Sequence, residues 1–307
     1  MATNPALSAL EAAADGVGAL APGGSAAAGP WRLAARRFFG HRLAAAGLII
    51  SIVLILSAIF APALAPRDPL QISILAKFQP PLSGGFLLGG DEVGRDLLSR
   101  LLYAGRISLL VGFAAMAVTV LVGTVIGLTA GFYGGSVDAI LMRLTDALLC
   151  FPTVFLLLVL AAFVGASLLS ITLIIGLTSW MELARILRNQ TLALREQDYV
   201  QAGRALGASN QRLIVRHLLP NSLAPIMVAA TLNIANAVLA ESYISYLGYG
   251  IQPPAASWGN MLNNAQSYFN VAPWIALFPG VLITLTVASF NFVGDGLRDA
   301  LDPRARR

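Results

Sequence analysis

Charged residues are scarce in this sequence. Of its 307 residues, 11% are Asp, Glu, Lys or Arg, whereas a soluble globular domain carries about 25%. Hydrophobic residues make up 57%, and the mean hydropathy is +0.75. This composition excludes a soluble globular domain and indicates an integral membrane protein with several spans. The net charge of +5 gives no reason to expect nucleic acid, because most of the arginines lie beside the apolar runs.

Cysteine, lysine and histidine are almost absent as well. Cys150 is the single cysteine, which excludes a disulfide within the chain and a cysteine metal cluster. Lys77 is the single lysine and stands in Leu-Ala-Lys-Phe, so the Gly-Lys-Ser/Thr phosphate loop of an ATPase is missing. His41 and His217 lie in separate segments, and no His/Asp/Glu cluster supports a membrane enzyme. We therefore expect no catalytic residue, metal or cofactor here, and we expect ATP to be bound by partner subunits.

Six apolar runs are long enough to cross a membrane, for which about 20 residues are needed. Arg143 and Asp146, at the start of the third run, are three residues apart and are predicted to pair. Pro152 lies inside the same run and predicts a kink. The fold class is therefore all-α integral membrane, with both termini on one side. The predicted spans are 43–64, 107–130, 138–166, 168–188, 225–247 and 274–293.

The N-terminal stretch has two parts. Residues 1–30 are rich in Ala and Gly and lack the positive start of a signal peptide, so we predict a disordered tail. The stretch from Trp31 to Arg42 interleaves arginines with Leu33, Phe38 and Phe39. An amphipathic helix on the inner leaflet and a positive flank of the first span both fit it, and either puts this end in the cytoplasm.

Positive charge is distributed unequally between the two sides of the predicted spans. The side that holds both termini and the loop 196–225 has fifteen of the 20 Lys and Arg residues. Because Lys and Arg are enriched on the cytoplasmic side of membrane proteins, we predict that both termini and this loop are cytoplasmic. The five positive residues on the other side are Arg67, Lys77, Arg95, Arg100 and Arg106.

Acids and arginines alternate near the end of the extracytoplasmic loop. Asp91 with Arg95, and Asp96 with Arg100, stand four residues apart with the acid first, which is the order that helix surfaces prefer. This spacing favours structural ion pairs over a catalytic or metal-binding site.

A polar stretch, 196–225, interrupts the apolar sequence between the fourth and fifth spans. Its pattern predicts two short helices around a glycine hinge at Gly207, where a helix end favours a left-handed residue. Ser209 is placed to cap the second helix, and Pro220 is placed to end it. Small residues leave this backbone open to close approach by another protein. One apolar face of the first helix has i, i+3, i+4, i+7 spacing and consists of Tyr199, Ala202, Gly203 and Leu206.

The spacing within this polar stretch resembles the cytoplasmic EAA loop of ABC importer permeases. That motif runs Glu-Ala-Ala, three residues, Gly, nine residues, Ile-x-Leu-Pro, and Gln201, Gly203 and His217 replace its Glu, second Ala and Ile. The resemblance implies that the loop is the coupling helix, which docks in a groove of the ATP-binding subunit. The implied coupling residues are Tyr199, Gln201, Ala202, Gly203, Leu206, Gly207, Leu219 and Pro220.

Other segments are similar to the C-type permease subunit of the dipeptide, oligopeptide and nickel importers. They include residues 89–109 and the C-terminal stretch 294–303, and the resemblance covers nearly all of 31–303. It implies the type I ABC importer permease fold. In that fold 31–103 is an N-terminal extension with the first span and an extracytoplasmic loop, 104–297 is the ABC transmembrane type-1 domain, and 298–307 is a cytoplasmic tail.

The same resemblance implies a set of partners in the bacterial inner membrane. Such a subunit pairs with a homologous B-type permease and binds two ATP-binding subunits. An extracytoplasmic solute-binding protein delivers the substrate. Short peptides are the first expectation for that substrate, and glutathione, nickel complexes and opines are the alternatives.

An ion-coupled secondary transporter or a channel is the competing class. It requires ionisable residues at mid-membrane to carry the coupling ion. Glu241, toward the outer end of the fifth span, is a candidate, although a paired or flanking residue is the favoured interpretation. Asn233 and Asn236 share a helix face, and they either line a polar path or hydrogen-bond a neighbouring span. These three residues are our candidates for lining a pathway.

Overall fold

The computed structural model describes residues 30–263 and 265–301. Most of the predicted N-terminal tail, 1–29, and the end of the predicted C-terminal tail, 302–307, lie outside the described residues. Within the described part, the structure contains helices and no β-strand, which confirms the all-α fold class.

Residues 30–263 and 265–301 form thirteen α-helices, with a π-helical turn at Ile214–Leu218 between α9 and α10. They are α1 (Pro30–Gly40), α2 (Arg42–Ile59), α3 (Ala61–Leu64), α4 (Leu97–Tyr133), α5 (Gly135–Leu149), α6 (Thr153–Val164), α7 (Leu168–Arg195), α8 (Asp198–Ala205), α9 (Asn210–Leu213), α10 (Leu219–Asn221), α11 (Leu223–Tyr246), α12 (Trp258–Leu262) and α13 (Trp274–Leu301).

Long apolar helices form the bundle. By length and composition, α2, α4, α7, α11 and α13 can each cross a membrane, and the bent pair α5 and α6 brings the number in the described residues to six. Helices α4, α7 and α13 extend well beyond the predicted runs. Helix α4 has 37 residues and is about 55 Å long, whereas the hydrocarbon core is about 30 Å thick. The predicted span 107–130 begins later than α4, because Arg100 and Arg106 interrupt the apolar sequence of its first turns. Asp96 caps α4 by accepting a hydrogen bond from the Ser99 N–H at 2.8 Å.

The third predicted span is broken rather than kinked. Helices α5 and α6 meet at an angle of 86°, and Pro152 stands directly before α6. The residue before a proline is pushed out of the helical region, so α5 cannot continue through this point. The predicted ion pair with Arg143 is also replaced: Asp146 instead accepts a hydrogen bond from Arg185 of α7 at 2.5 Å.

Close packing of α4 on α7 depends on glycines at every fourth position of α4. Gly123, Gly127 and Gly131 lie against the backbone of α7. A Cβ atom at Gly127 would lie 2.6 Å from the carbonyl oxygen of Ala184, which no real Cβ atom tolerates. Such small residues let membrane helices approach closely and gain van der Waals contact.

The opposite ends of α4 define the two ends of the bundle. Its C-terminal end contacts the loop 196–225, and its N-terminal end contacts α12. We call the α12 end the distal end. There, Trp258 is buried and donates its indole N–H to the carbonyl oxygen of Leu101 at 3.1 Å. This bond anchors α12 within the apolar core formed by α4, α11 and α13.

Asp91 is the centre of a buried ion network at the distal end. Its carboxylate bonds to the Arg95 side chain at 2.7 Å and also to Arg100. This confirms a structural role and the Asp91–Arg95 pair. The predicted Asp96–Arg100 pair is wrong, because Asp96 is used as the cap of α4 and Arg100 reaches back to Asp91 instead. The i, i+4 rule applies to residues inside a helix, whereas Asp96 stands before the first turn of α4 and its carboxylate faces the Ser99 N–H.

The network makes stability depend on pH. Burial raises the pKa of Asp91, but the charges of Arg100 and Arg95 and a backbone N–H bond outweigh it, so the pKa lies below its ordinary value of 3.8. A carboxyl with a lowered folded pKa stabilises the fold above pH 3.8, and this contribution is lost as the pH falls through the folded pKa.

We therefore expect Asp91→Asn to lower the free energy of unfolding at pH 7 by about 3 kcal/mol, because it leaves Arg100 buried with a weakened partner. The deficit should stay constant down to about pH 5 and should shrink as the wild-type carboxyl is protonated. Thermal unfolding in detergent as a function of pH measures it. A deficit that grows on acidification would contradict this account.

Candidate coupling surface

The loop 196–225 is held on the bundle by one side of its two helices. Val200 of α8 is 0% exposed and packs with Leu213 and Leu218 of the second helical stretch. These side chains rest on Leu128 and Phe132 near the end of α4. These apolar contacts join segments that are far apart in the chain. They hold the loop in a fixed position relative to α4, the longest helix of the bundle.

A glycine turn ends α8. Gly207 has a φ of +80°, which confirms the predicted left-handed residue. The Gly207 N–H donates to the carbonyl of Arg204 at 3.0 Å, and the Ala208 N–H donates to the carbonyl of Gly203 at 3.1 Å. This pair of bonds is the Schellman motif, which satisfies the last carbonyls of a helix and reverses the chain. A Cβ atom added at Gly207 would meet nothing within 4 Å, so the position faces outward.

The second helical stretch begins as predicted but does not end as predicted. The Ser209 hydroxyl caps α9 by accepting the Arg212 N–H at 3.3 Å. Pro220 does not terminate the helix, which continues through a π-helical turn, Ile214–Leu218, into α10 and past the proline to Asn221. In this wider turn the Leu219 N–H reaches the carbonyl of Ile214. The change of register relieves the conflict that a proline ring and its missing N–H create in a regular α-helix.

The predicted apolar face of α8 is exposed rather than buried. Tyr199 is 42% exposed and Leu206 is 88% exposed, and Ala202 is also exposed. Gly203 is half-buried, and a Cβ atom there would lie 3.1 Å from the Leu213 side chain. We define the coupling surface as Tyr199, Ala202, Leu206 and Gly207. The sequence pattern identified this face, but it missed Val200, which is the residue that packs inward.

Gln201 has a specific role in this chain. Its amide Nε2 donates to the carbonyl oxygen of Arg195, at the end of α7, at 3.0 Å. A glutamate, which the EAA motif has at this position, has no hydrogen to donate when ionised. Arg195 in turn donates to the carbonyl of Gly131 at 3.2 Å and so joins α7 to α4. The replacement of Glu by Gln therefore fits the local hydrogen bonding.

Polar groups surround the coupling surface. The ring of Tyr199 lies 6.2 Å from that of His217, and the guanidinium of Arg204 lies 5.7 Å from the Phe132 ring. A shallow groove of about 330 Å³ opens beside α9, and exposed Arg212 and Arg216 contribute to its lining. Leu219 is half-buried and Pro220 is exposed. The surface thus presents an apolar centre with a positive margin.

The three candidates for pathway lining lie on α11, in different environments. Asn236 is exposed, and Asn233 is half-buried and donates to the carbonyl of Ala229 at 2.8 Å. Glu241 is 0% exposed and accepts hydrogen bonds from Ser108 and Ser245. The buried position of Glu241 favours a structural role over pathway lining. Of the two interpretations favoured from the sequence, the paired residue fits better than the flanking one, because Glu241 lies inside the bundle and bonds to two serines.

The apolar bundle and the exposed helical loop at one end define a multi-pass membrane permease. The family described as "Binding-protein-dependent transport system inner membrane component" matches residues 123–307, and the chain belongs to this family. A second family, described as "N-terminal TM domain of oligopeptide transport permease C", matches residues 29–81. The protein is accordingly a permease of the bacterial inner membrane.

Curated relatives match nearly the whole chain. The chain is 40% identical to the dipeptide transport system permease protein DppC of Alkalihalophilus pseudofirmus, over 91% of this chain and 92% of that protein. It is 41% identical to the oligopeptide transport system permease protein OppC of Escherichia coli, over 90% and 92% of the two chains. It is 39% identical to OppC of Bacillus subtilis, over 90% of each chain. The predicted resemblance to the C-type permease of peptide importers is confirmed.

Proposed function

We propose that this chain is one of two permease subunits of an ATP-driven importer. It forms the translocation path with a homologous B-type permease. Two ATP-binding subunits dock on the cytoplasmic side, and an extracytoplasmic solute-binding protein delivers the substrate. ATP-driven closure of the ATPases moves the loop 196–225 and reorients the helices around a central path.

The coupling surface is the observation that carries this proposal. Its apolar residues Tyr199, Ala202 and Leu206 are exposed, while Val200, on the same short helix, is fixed in the core. An exposed apolar group on a rigidly held loop is the signature of a docking site. Because the loop rests on α4 and follows α7 directly, a force applied to it is transmitted to two long helices.

Coexpression tests the proposed division of labour. The purified chain should hydrolyse no ATP above background, because it has no phosphate-binding loop. Together with its permease and ATPase partners it should give ATP hydrolysis that rises when the loaded binding protein is added. Hydrolysis by this chain alone, or uptake that follows an ion gradient without ATP, would support the competing classes instead.

Peptides are the proposed substrates. The relatives named above are described as dipeptide and oligopeptide permeases, and glutathione, nickel complexes and opines are the alternatives. Specificity in such systems resides largely in the binding protein. Calorimetric titration of the associated binding protein with di- and oligopeptides, and with the three alternatives, decides among them.

The path itself is proposed to run along the exposed face of α11. Asn236 is exposed on that face and Asn233 is half-buried one turn earlier, so both are available to a solute or to the second permease. An amide side chain offers both a donor and an acceptor, which suits the backbone groups of a peptide.

The orientation of the chain gives a labelling prediction. In a Cys150→Ala background, a cysteine at exposed Ala205 should react with an impermeant maleimide only after the inner membrane is opened. A cysteine at exposed Ala255, at the distal end, should react in intact spheroplasts. The reverse pattern would contradict the cytoplasmic location of the coupling surface.

A further inference from the structure

Glu241 is a buried carboxyl group that the proposed transport mechanism does not use. It lies on α11 at the distal end and is 0% exposed. Residues 250–262 cross the same end of the bundle, and they include α12. Two hydrogen-bond relays connect the carboxylate to this segment.

The first relay runs through α4. The Ser108 hydroxyl donates to Glu241 Oε2 at 3.0 Å, and the same hydroxyl accepts the backbone N–H of Trp258 at 3.2 Å. A hydroxyl has one hydrogen to donate and two lone pairs. Because the carboxylate takes the hydrogen, the oxygen lone pairs are free to face the first residue of α12.

The second relay repeats this arrangement within α11. The Ser245 hydroxyl donates to Glu241 Oε1 at 2.7 Å and accepts the backbone N–H of Ile251 at 3.0 Å. Ser257, also buried, caps α12 by accepting the Asn260 N–H at 3.1 Å. Thus the carboxylate fixes hydroxyl groups that each bind a backbone N–H of the segment 250–262.

Two glycines let the segment come close enough for these bonds. A Cβ atom at Gly250 would lie 2.0 Å from the Ser245 hydroxyl oxygen, and one at Gly259 would lie 2.5 Å from the Cα of Ser242. The segment is therefore set into the bundle rather than lying over it. Helix α12 touches α4, α11 and α13, which are three of the helices that must reorient during transport.

We propose that Glu241 is a positioning residue for transport: it orients the hydroxyls of Ser108 and Ser245, which hold the segment 250–262 in register with α4 and α11. Through this register the distal end moves as one body when the loaded binding protein arrives. This second statement rests on the proposed function, whereas the relay itself does not.

Four variants in the assembled complex separate the relay from simple packing: Glu241→Gln, Ser108→Ala, Ser245→Ala and Ser242→Ala. Ser242→Ala is the matched control, because the Ser242 hydroxyl is buried on the same helix and bonds to the carbonyl of Val238 at 2.7 Å. Glu241→Gln keeps the volume of the side chain, but its NH₂ group cannot accept a hydroxyl hydrogen bond.

Amide hydrogen exchange is the first measurement. We expect the Trp258 N–H to exchange about tenfold faster in Ser108→Ala and the Ile251 N–H about tenfold faster in Ser245→Ala. In Glu241→Gln at least one of the two amides should exchange faster, because the remaining carbonyl oxygen accepts only one of the two hydroxyls in place of the original pair of acceptors. Neither amide should change in Ser242→Ala. Unchanged protection of both amides in Glu241→Gln would overturn the relay.

ATP hydrolysis in the same preparations is the second measurement. In Glu241→Gln the stimulation by the loaded binding protein should fall about fivefold or more, while basal hydrolysis is unchanged. If the amides exchange faster but the loaded binding protein still stimulates ATP hydrolysis fully, the role of Glu241 in transport is overturned. Absence of stimulation in the wild-type complex would instead refute the proposed function, and the exchange result would still decide the relay.

Discussion

Replacement of Gly207 by valine should abolish uptake while the protein still folds and inserts. The φ of +80° costs a β-branched residue about 1–2 kcal/mol, which the six-span bundle can absorb. Nothing lies within 4 Å of the new Cβ atom, so the valine side chain projects from the coupling surface toward whatever docks there. We expect membrane expression near the wild-type level and uptake reduced about tenfold or more.

Two variants control for backbone strain. Gly165→Val introduces the same residue at an exposed glycine with a φ of +90° and nothing within 4 Å, at the distal end of α6. It should keep uptake. Gly207→Asn should also lose uptake, since asparagine adopts positive φ more readily but its side chain still projects from the coupling surface. Expression, copurification of the ATPase and uptake are measured in one strain. Equal loss of uptake in Gly165→Val and Gly207→Val would contradict a local coupling effect.

Replacement of Gly127 by valine should instead prevent folding. The new Cβ atom would lie 2.6 Å from the Ala184 carbonyl oxygen and 2.7 Å from the Leu187 Cβ, so α4 and α7 would have to separate. Ordinary overpacking costs about 1–3 kcal/mol, and a clash with backbone costs more because no rotamer relieves it. We expect little monodisperse protein and a strongly lowered thermal midpoint.

Gly280→Val is the matched control for Gly127→Val. Gly280 also lies inside a long apolar helix, α13, but a Cβ atom there meets nothing within 4 Å. The same loss of glycine and the same gain of volume should therefore leave the yield and the thermal midpoint nearly unchanged. Comparable losses in both variants would show that the substitution in a membrane helix, rather than the α4–α7 contact, causes the defect.

The membrane fold and the glycine turn were predictable because each depends on short-range information. Apolar length fixes the spans, and a glycine after an amphipathic turn favours the Schellman motif that Gly207 forms. The exposed face with Tyr199 and Leu206 was visible in the spacing too. The sequence did not show that this face is exposed, because the same apolar spacing is found on helices that pack against their own core and on helices that bind a partner.

The wrong predictions concern residues whose actual partners or helix geometry cannot be inferred from spacing alone. Asp96 and Arg100 have the spacing of a helical pair, but Asp96 caps α4 and Arg100 binds Asp91. Pro220 was expected to end a helix, and no sequence signal marks the π-helical turn that accommodates it. The sequence left Glu241 open as a pathway, paired or flanking residue, because its partner Ser108 lies on another helix, far away in the chain.

Site-specific cross-linking tests the central claim most directly. Leu206 is 88% exposed at the centre of the coupling surface, and a photoreactive amino acid at this position in the Cys150→Ala chain leaves its buried neighbours untouched. In membranes that contain the complete transporter, illumination should join this chain to an ATP-binding subunit, and ATP should change the yield. The same probe at Gly165, at the distal end, should not capture that subunit. Capture of the ATPase from Gly165 and not from Leu206 would contradict the account.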